Sequence, residues 1–282
     1  MLNYTALASQ SGGGSLVSNL DAVVQNKGLE LELNTKNIDR GGFSWSSSFN
    51  ISFERNVLLS FRDKDKASFG TYYRVGETVD AFLMRSRFKY DGLDALTGAP
   101  MYADLDGKPG LSTDDQYIAG LGRPFYGGLN NSFSYKGLTL DVFFKFENSR
   151  GPVNQFPGGI APGGLMNQNN SVLDRWRQSG DTGTLWPLAV TGSGPASAPY
   201  GILPSSDFTW GNTSYIKLKT TSLSYNLPKR WLEKAKLQNV RLSLQGLNLF
   251  SITKNKYVLD PEFGPDSYPG LRTWMFGINC TL

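Results

Sequence analysis

The sequence predicts an all-β fold: part of the wall of an antiparallel transmembrane β-barrel, about eight strands, with short periplasmic turns and long extracellular loops. Three observations predict it. Period-two alternation recurs in segments of about 9–11 residues, the length of a membrane-spanning strand. Helical periodicity is nearly absent. The connections alternate between short and very long along the whole chain, an order that a soluble sandwich or solenoid has no reason to keep.

The strands are read in chain order. Residues 2–8 form a weak first candidate. In KGLELELNTK, Leu29, Leu31 and Leu33 oppose Glu30, Glu32 and Asn34. FSWSSSFNISF is the clearest case, with Phe43, Trp45, Phe49, Ile51 and Phe53 on one face and Ser44, Ser46, Ser48, Asn50 and Ser52 on the other. Successive strand side chains point to opposite faces, so this segment has one greasy and one wet side. After a weaker candidate at 125–135, LTLDVFFKFE sets Leu138, Leu140, Val142, Phe144 and Phe146 against Thr139, Asp141, Lys145 and Glu147. A strand from Asn212 to Leu227 changes phase near residues 220–222, the mark of a bulge. Residues 239–250 follow. The last segment, 272–282, sets Trp274, Phe276, Ile278, Cys280 and Leu282 against Thr273, Gly277, Asn279 and Thr281.

Short connections fall at 39–42, 136–137 and 228–238, and long ones at 9–26, 55–124, 148–211 and 251–271. With the chain's end on the periplasmic side, every short turn lies there and every long loop lies outside. Phe43, Trp45, Tyr126, Tyr215, Trp231, Tyr257 and Trp274 are then candidates for interfacial girdles, or core aromatics of a soluble β-protein.

Composition removes other functions. The 282 residues hold 39% hydrophobic side chains, enough for a folded chain, yet no His and one Cys. His-dependent nucleophilic triads, His-ligated metals, thiolate zinc clusters and intrachain disulfides are excluded. With 28 basic against 24 acidic residues and no long basic run, the net charge of +4 gives little drive toward nucleic acid. The start MLNYTALASQ lacks the basic and apolar regions of a signal peptide, so the chain is expected to stay inside or to begin within a longer protein. Residues 183–206 are uncharged but carry four prolines, which a transmembrane helix does not tolerate.

Several segments, in order, are similar to one known family. SYIKLKTTSLSYNLPK, VRLSLQGLNLFSITKNKYVLDPEFGP and YPGLRTWMFGINCTL resemble the end of SusC/RagA-type TonB-dependent outer-membrane transporters. Upstream, NKGLELELNTKN, FSWSSSFNISFERN, the stretch from TGAPMYADLDGKPG to LDVFFKF, and DRWRQSGD look like the same family, so the similarity covers almost the whole chain. The resemblance implies that residues 1–282 are the C-terminal portion of a larger barrel of about 22 strands, with plug domain and signal peptide absent. It implies import of an oligosaccharide or peptide across the bacterial outer membrane. A SusD-like surface lipoprotein would cap the barrel, and TonB would act through the missing plug. The chain departs from the family pattern in ending at Leu282 where an aromatic is usual, and in Leu247 where glutamine is common.

In the long loop 148–211, Asn154, Asn167, Asn169, Asn170, Trp176 and Trp186 are candidate substrate contacts by hydrogen bonding and stacking, or else packing residues of a compact loop. Asp104, Asp106 and Asp115, with Asp114 beside them, have oxygen ligands at the first, third and twelfth places of a calcium loop. Lys108 at the fifth place and Pro109 at the glycine place argue instead for a solvated acidic loop, so no cofactor is expected beyond that calcium. Glu30, Glu32, Asp141, Lys145, Lys217, Lys219 and Arg241 are expected to face the lumen or to dock a plug.

Two alternatives stay open. One is an autonomous small outer-membrane barrel, adhesive or structural. The other is a soluble β-rich glycan-binding or glycan-cleaving protein. Enzymatic cleavage needs two converging carboxylates, and neither Asp114–Asp115 nor the DPEF pair Asp260 and Glu262 is placed for that, so no enzyme is expected.

Overall fold

The computed structural model describes residues 2–6, 10, 15–19, 21–62, 75–78, 84–120, 124–153, 162–163, 167–168, 170–184, 186–190, 197–233, 237–255, 260–263 and 268–281. Its strands, in chain order, are β1 (Leu2–Ala6), β2 (Ser15–Asn19), β3 (Ala22–Arg40), β4 (Phe43–Phe61), β5 (Met84–Phe88), β6 (Tyr90–Leu93), β7 (Pro100–Tyr102) and β8 (Gln116–Gly120). There follow β9 (Phe125–Tyr135), β10 (Leu138–Asn148), β11 (Arg150–Pro152), β12 (Trp210–Asn212), β13 (Tyr215–Asn226), β14 (Asn239–Thr253) and β15 (Thr273–Thr281). Two short helices, α1 (Ser197–Ile202) and α2 (Lys229–Leu232), sit in connections. Among the described residues no helix is long and apolar enough to cross a membrane.

Seven strands form one antiparallel sheet in the order β15-β14-β13-β10-β9-β4-β3. The predicted all-β wall is thus observed, with one change. β1 does not join the sheet but pairs with β2, Leu2 opposite Asn19. The expected loop at 9–26 therefore contains a strand and the first five residues of β3.

Register makes the two faces continuous. One outer row runs Ile38, Trp45, Phe133, Leu140, Leu223, Leu244, Phe276, and the next but one runs Leu33, Phe49, Leu129, Phe144, Leu218, Phe250. An inner row runs Ser44, Ser134, Thr139, Ser224, Ser243. Many outer apolar residues are solvent-exposed, Leu29, Leu31, Leu33, Ile216, Phe276 and Ile278 among them, while most on β4, β9 and β10 are half-buried. Apolar rows on one face and hydroxyls on the other are what a sheet between lipid and a wet lumen requires. Between the two apolar rows lies a polar one, where Asn131 Oδ1 accepts from Trp45 Nε1 at 3.0 Å and from Ser47 Oγ at 2.7 Å, while Asn37 donates to Ser47. Mutual hydrogen bonding is how such groups are tolerated on a face without water.

Two connections at one end are two-residue turns with both central residues at positive φ, Gly41 and Gly42 (63° and 80°) and Lys136 and Gly137 (47° and 88°). Left-handed pairs match the right-handed strand twist. The third connection at that end carries α2. At the other end β3 and β4, 19 residues each, are about twice what the membrane needs and project beyond it.

A bulge lies at Lys219: Phe143 and Phe144 of β10 oppose Thr220 and Leu218, and on the β14 side Asn248 takes φ 53°. It restores the phase, so that Ile216 and Leu218 before it and Leu223 after it all face outward while Lys217 and Ser222 face inward. Gly127 and Gly128 of β9 leave room for aromatics on both faces, a Cβ lying 2.6 Å from the Phe146 ring at the first and 2.7 Å from the Phe143 ring at the second.

Of the expected girdle aromatics, Phe43, Trp45 and Trp274 lie on the outer face and Trp231 is exposed on α2. Tyr126 and Tyr215 flank Glu147 on the inner face instead, so neither reaches lipid. Tyr257 lies outside the described residues.

Candidate functional site

Lumenal polarity is concentrated where β10 and β13 run side by side. Lys145 and Lys217 are cross-strand partners, and Lys219 follows at the bulge. Three lysines on neighbouring positions would repel one another unless anions came between them. The connection between β14 and β15 supplies those anions. Its described residues 260–263 and 268–271 form a strap over the wall, whose Asp260 and Glu262 reach all three ammonium groups.

Lys217 is only 2% exposed. Its Nζ donates to both oxygens of Asp260 at 2.9 Å and to Glu262 Oε2 at 2.8 Å. Glu262 accepts also from Lys145 at 2.9 Å and from Lys219 at 2.6 Å. The strap's own backbone completes the network, because the N–H groups of Glu262 and Gly270 donate to Asp260. A buried ammonium is tolerated only with such a full shell of acceptors. Burial pushes both carboxyls up, but the lysine hydrogen bonds outweigh it: Glu262 is held down at about 2, and Asp260, with the backbone N–H groups of Glu262 and Gly270 adding to Lys217, below its usual range. Both stay ionised through the whole neutral range. Asn248, at the left-handed position of the bulge, donates to the carbonyl of Leu271 at 3.3 Å and seats the far end of the strap.

The expected lumenal charges are placed as read. Glu30, Glu32 and Asp141 share the inner face with the lysines, and Arg241 donates to the inner Ser224 at 2.8 Å. The strap's role is not legible in the sequence, where Asp260 and Glu262 stand out only as a possible catalytic pair. The available signal was three lysines on one wet face with no acid among their strand neighbours except Glu147.

The described parts of the long loops 62–124 and 149–214 interlock. Their common core is Trp186, Tyr200 and Leu203, packed against Tyr90, Tyr102, Val172 and Phe208. Cross-ties join the two segments: Tyr102 donates to the carbonyl of Pro199 at 2.6 Å, Arg87 to that of Pro204 at 2.7 Å, and Asp207 accepts from the Tyr90 N–H and the Tyr117 hydroxyl, both at 2.8 Å. Of the candidate substrate contacts, Trp186 is 2% and Trp176 5% exposed. Trp176 packs its ring on Gly98, which takes φ 67° and leaves no room for a side chain. Both tryptophans therefore offer no free face here, and packing is the reading their surroundings support. Asn167 and Asn170 are exposed, and Asn154 and Asn169 lie outside the described residues.

Asp104, Asp106 and Asp115 do come together, with carboxylate oxygens within 4.8 Å of one another. Each already accepts at least one backbone N–H. Asp115, fully buried, accepts from the N–H groups of Ser112 and Leu105 at 2.8 Å and of Asp106 at 3.2 Å, which hold its carboxyl low against the cost of burial. Asp104 accepts from Gly107 N–H, Asp106 from Lys108 N–H, and the Lys108 ammonium lies 3.3 Å from Asp106. The sharp turn comes at Gly107, φ 71°, not at Pro109. Backbone donors and the Lys108 ammonium thus already contact these carboxylates, and a calcium ion would have to share their oxygens with them.

No protein-family model matches the chain. It is 27% identical to the TonB-dependent receptor P3 of Formosa agariphila over 97% of its length, and 27% identical to receptor P26 of the same organism over all of it. The TonB-dependent receptor SusC of Bacteroides thetaiotaomicron is 23% identical over 91%. The chain is thus similar to TonB-dependent receptors, SusC among them. It spans about 30% of the length of these relatives. Solved structures of the RagAB peptide transporter superpose with a TM-score of 0.76, and of the RagAB peptide importer in its closed-closed state with 0.77, each over 99% of this chain and 32% of theirs. At 23% and 22% identity these establish the fold alone, an antiparallel barrel wall. The relatives are receptors and transporters, not enzymes.

Proposed function

We propose that this chain supplies part of the barrel wall and the extracellular loops of a TonB-dependent nutrient importer in a bacterial outer membrane. Its substrate is an oligosaccharide or a peptide, delivered with a SusD-like surface lipoprotein and drawn in by TonB acting on a plug. The chain's own part is non-enzymatic: it binds, lines and positions.

The observation that carries this reading is the two-faced sheet. Exposed apolar rows cover one face, and the other holds serines, threonines and a lysine–carboxylate cluster under a loop strap. A soluble glycan-binding sheet would bury those apolar rows. An autonomous small barrel would close on itself, whereas β3 and β15 end the sheet at opposite edges among the described residues.

The test is made in the native host with the full reading frame. Its deletion should abolish TonB-dependent growth on one class of oligomeric nutrient, and an affinity-tagged copy should fractionate with the outer membrane together with a surface lipoprotein. Growth unchanged on every oligosaccharide and peptide tried, or recovery in the soluble fraction, would falsify the reading.

A further inference from the structure

The outer face of β3 and β4 changes chemistry abruptly at one level. The register there is unbroken: Lys27 pairs with Arg55, Leu29 with Phe53 and Leu31 with Ile51. Alternation puts these six on one face, the one that carries the apolar rows, and leaves Glu30, Ser52 and Glu54 to the other. Lys27 and Arg55 are both exposed, and neither has an ion-pair or hydrogen-bond partner among the described residues. The positions around them on that face, Gln25, Val57, Leu29 and Phe53, offer no acid. Two like charges directly opposite across a ladder, with Cβ atoms about 4.5–5.5 Å apart, repel each other until an anion joins them.

Their depth says which anion. Outward side chains on β4 run Phe43, Trp45, Ser47, Phe49, Ile51 and Phe53 before Arg55. At a rise of about 3.4 Å per residue and a tilt of about 40°, the stretch from Phe43 to Phe53 covers about 25 Å along the membrane normal, the height of the apolar band of an outer-membrane barrel. Lys27 and Arg55 then lie about 5 Å above that band, at headgroup level. The short turn at Gly41 and Gly42 is at the opposite end of these strands, so the level is that of the outer leaflet.

Resting on the importer reading above, we infer that Lys27 and Arg55 form a site for the phosphate of an anionic lipid in the outer leaflet, whose chains lie along Leu29, Leu31 and Phe53. The planar fork of Arg55 matches two phosphate oxygens, and the Lys27 ammonium adds a point charge beside it. A lone cation at this depth does no more than turn its head to water. Arg40, on the same face opposite Phe43 beside the periplasmic turn, is such a case. The opposed pair, with bare apolar side chains directly below it, calls for an anion that carries hydrocarbon.

The experiment uses the receptor expressed from its full reading frame and purified in a neutral detergent. Native mass spectrometry follows titration with dioleoyl phosphatidic acid, with dioleoyl phosphatidylcholine, and with phosphatidic acid in the presence of equimolar inorganic phosphate. At about fivefold for each cation near a charged lipid surface, phosphatidic acid should bind about thirtyfold more tightly than phosphatidylcholine. Lys27→Gln with Arg55→Gln should bring the ratio close to one, and either change alone should lower it about fivefold. Lys27→Arg with Arg55→Lys, which keeps both charges, and Arg40→Gln should both retain the preference, and heat-modifiable gel migration reports that each variant is folded. A ratio that survives the double neutralisation, an equal loss in Arg40→Gln, or displacement of phosphatidic acid by the inorganic phosphate overturns the inference. Location is scored separately: a receptor found in the outer membrane but without the lipid preference sinks this site and leaves the importer standing, whereas recovery in the soluble fraction sinks the importer reading and the lipid site with it.

Discussion

The Nζ of Lys217 lies 2.9 Å from both carboxylate oxygens of Asp260, a residue 43 positions further along the chain. Through that contact the β14–β15 connection becomes part of the inner wall rather than a free extracellular loop.

Removing the central cation should cost more than removing either anion. Lys217→Met leaves two buried carboxylates facing each other, and breaking a buried pair in this way costs about 3–5 kcal/mol. Adding Asp260→Asn and Glu262→Gln should recover most of the loss, because neutral partners remove the uncompensated charge. The midpoint of heat-modifiable migration in the full receptor checks both; a triple variant no better than the single one contradicts the account.

Acidification should release the strap only at strongly acid pH. Glu262 is lowered in the folded state from 4.5 to about 2, so its contribution is complete above pH 4.5 and is lost as pH falls from there through about 2. A nitroxide at Tyr268→Cys in a Cys280→Ser background should keep the same mobility from pH 5 to 8 and gain mobility below pH 4. A transition near pH 6 would show that some other group controls the strap.

The paired glycines of β9 make a steric prediction. A Cβ at Gly127 collides with the backbone carbonyl of Asn50 on β4, which cannot move without parting the ladder, whereas a Cβ at Gly128 meets the Phe143 ring at 2.7 Å. Gly127→Ala should therefore lose about 1–3 kcal/mol, as overpacking does, and more than Gly128→Ala, where a side chain can yield. Urea unfolding in lipid vesicles ranks the two.

Calcium should leave the acidic loop unchanged. Since the Lys108 ammonium and backbone donors satisfy Asp104, Asp106 and Asp115, adding millimolar calcium or a chelator should not shift the melting temperature. Asp115→Ala, which strips three N–H groups of their acceptor, should make the loop more sensitive to protease. A rise of several degrees with calcium would mean that the ion displaces Lys108.

Expressed without the rest of a barrel, this chain should aggregate or demand detergent, because among the described residues β3 and β15 end the sheet without a further strand and the outer face is apolar. A monodisperse, detergent-free monomer with cooperative unfolding contradicts this.

What the sequence determined by itself is the two-faced wall. Alternation is a local property: Phe43 and Trp45 against Ser44 and Ser46 fix a face through nearest neighbours alone, whatever lies across the sheet. The short turns were legible for the same reason, since two left-handed positions demand residues such as Gly41 and Gly42. Only the tertiary structure decided the pairing of β1 with β2, the interlocking of the two long loops around Trp186 and Tyr200, and the joining of Asp260 and Glu262 to Lys145, Lys217 and Lys219. These segments lack a period, and the partners in the interlocked loops and the lysine cluster lie 43 to 117 residues apart. Their places follow from which buried charges and rings find one another in three dimensions, and no local pattern encodes that.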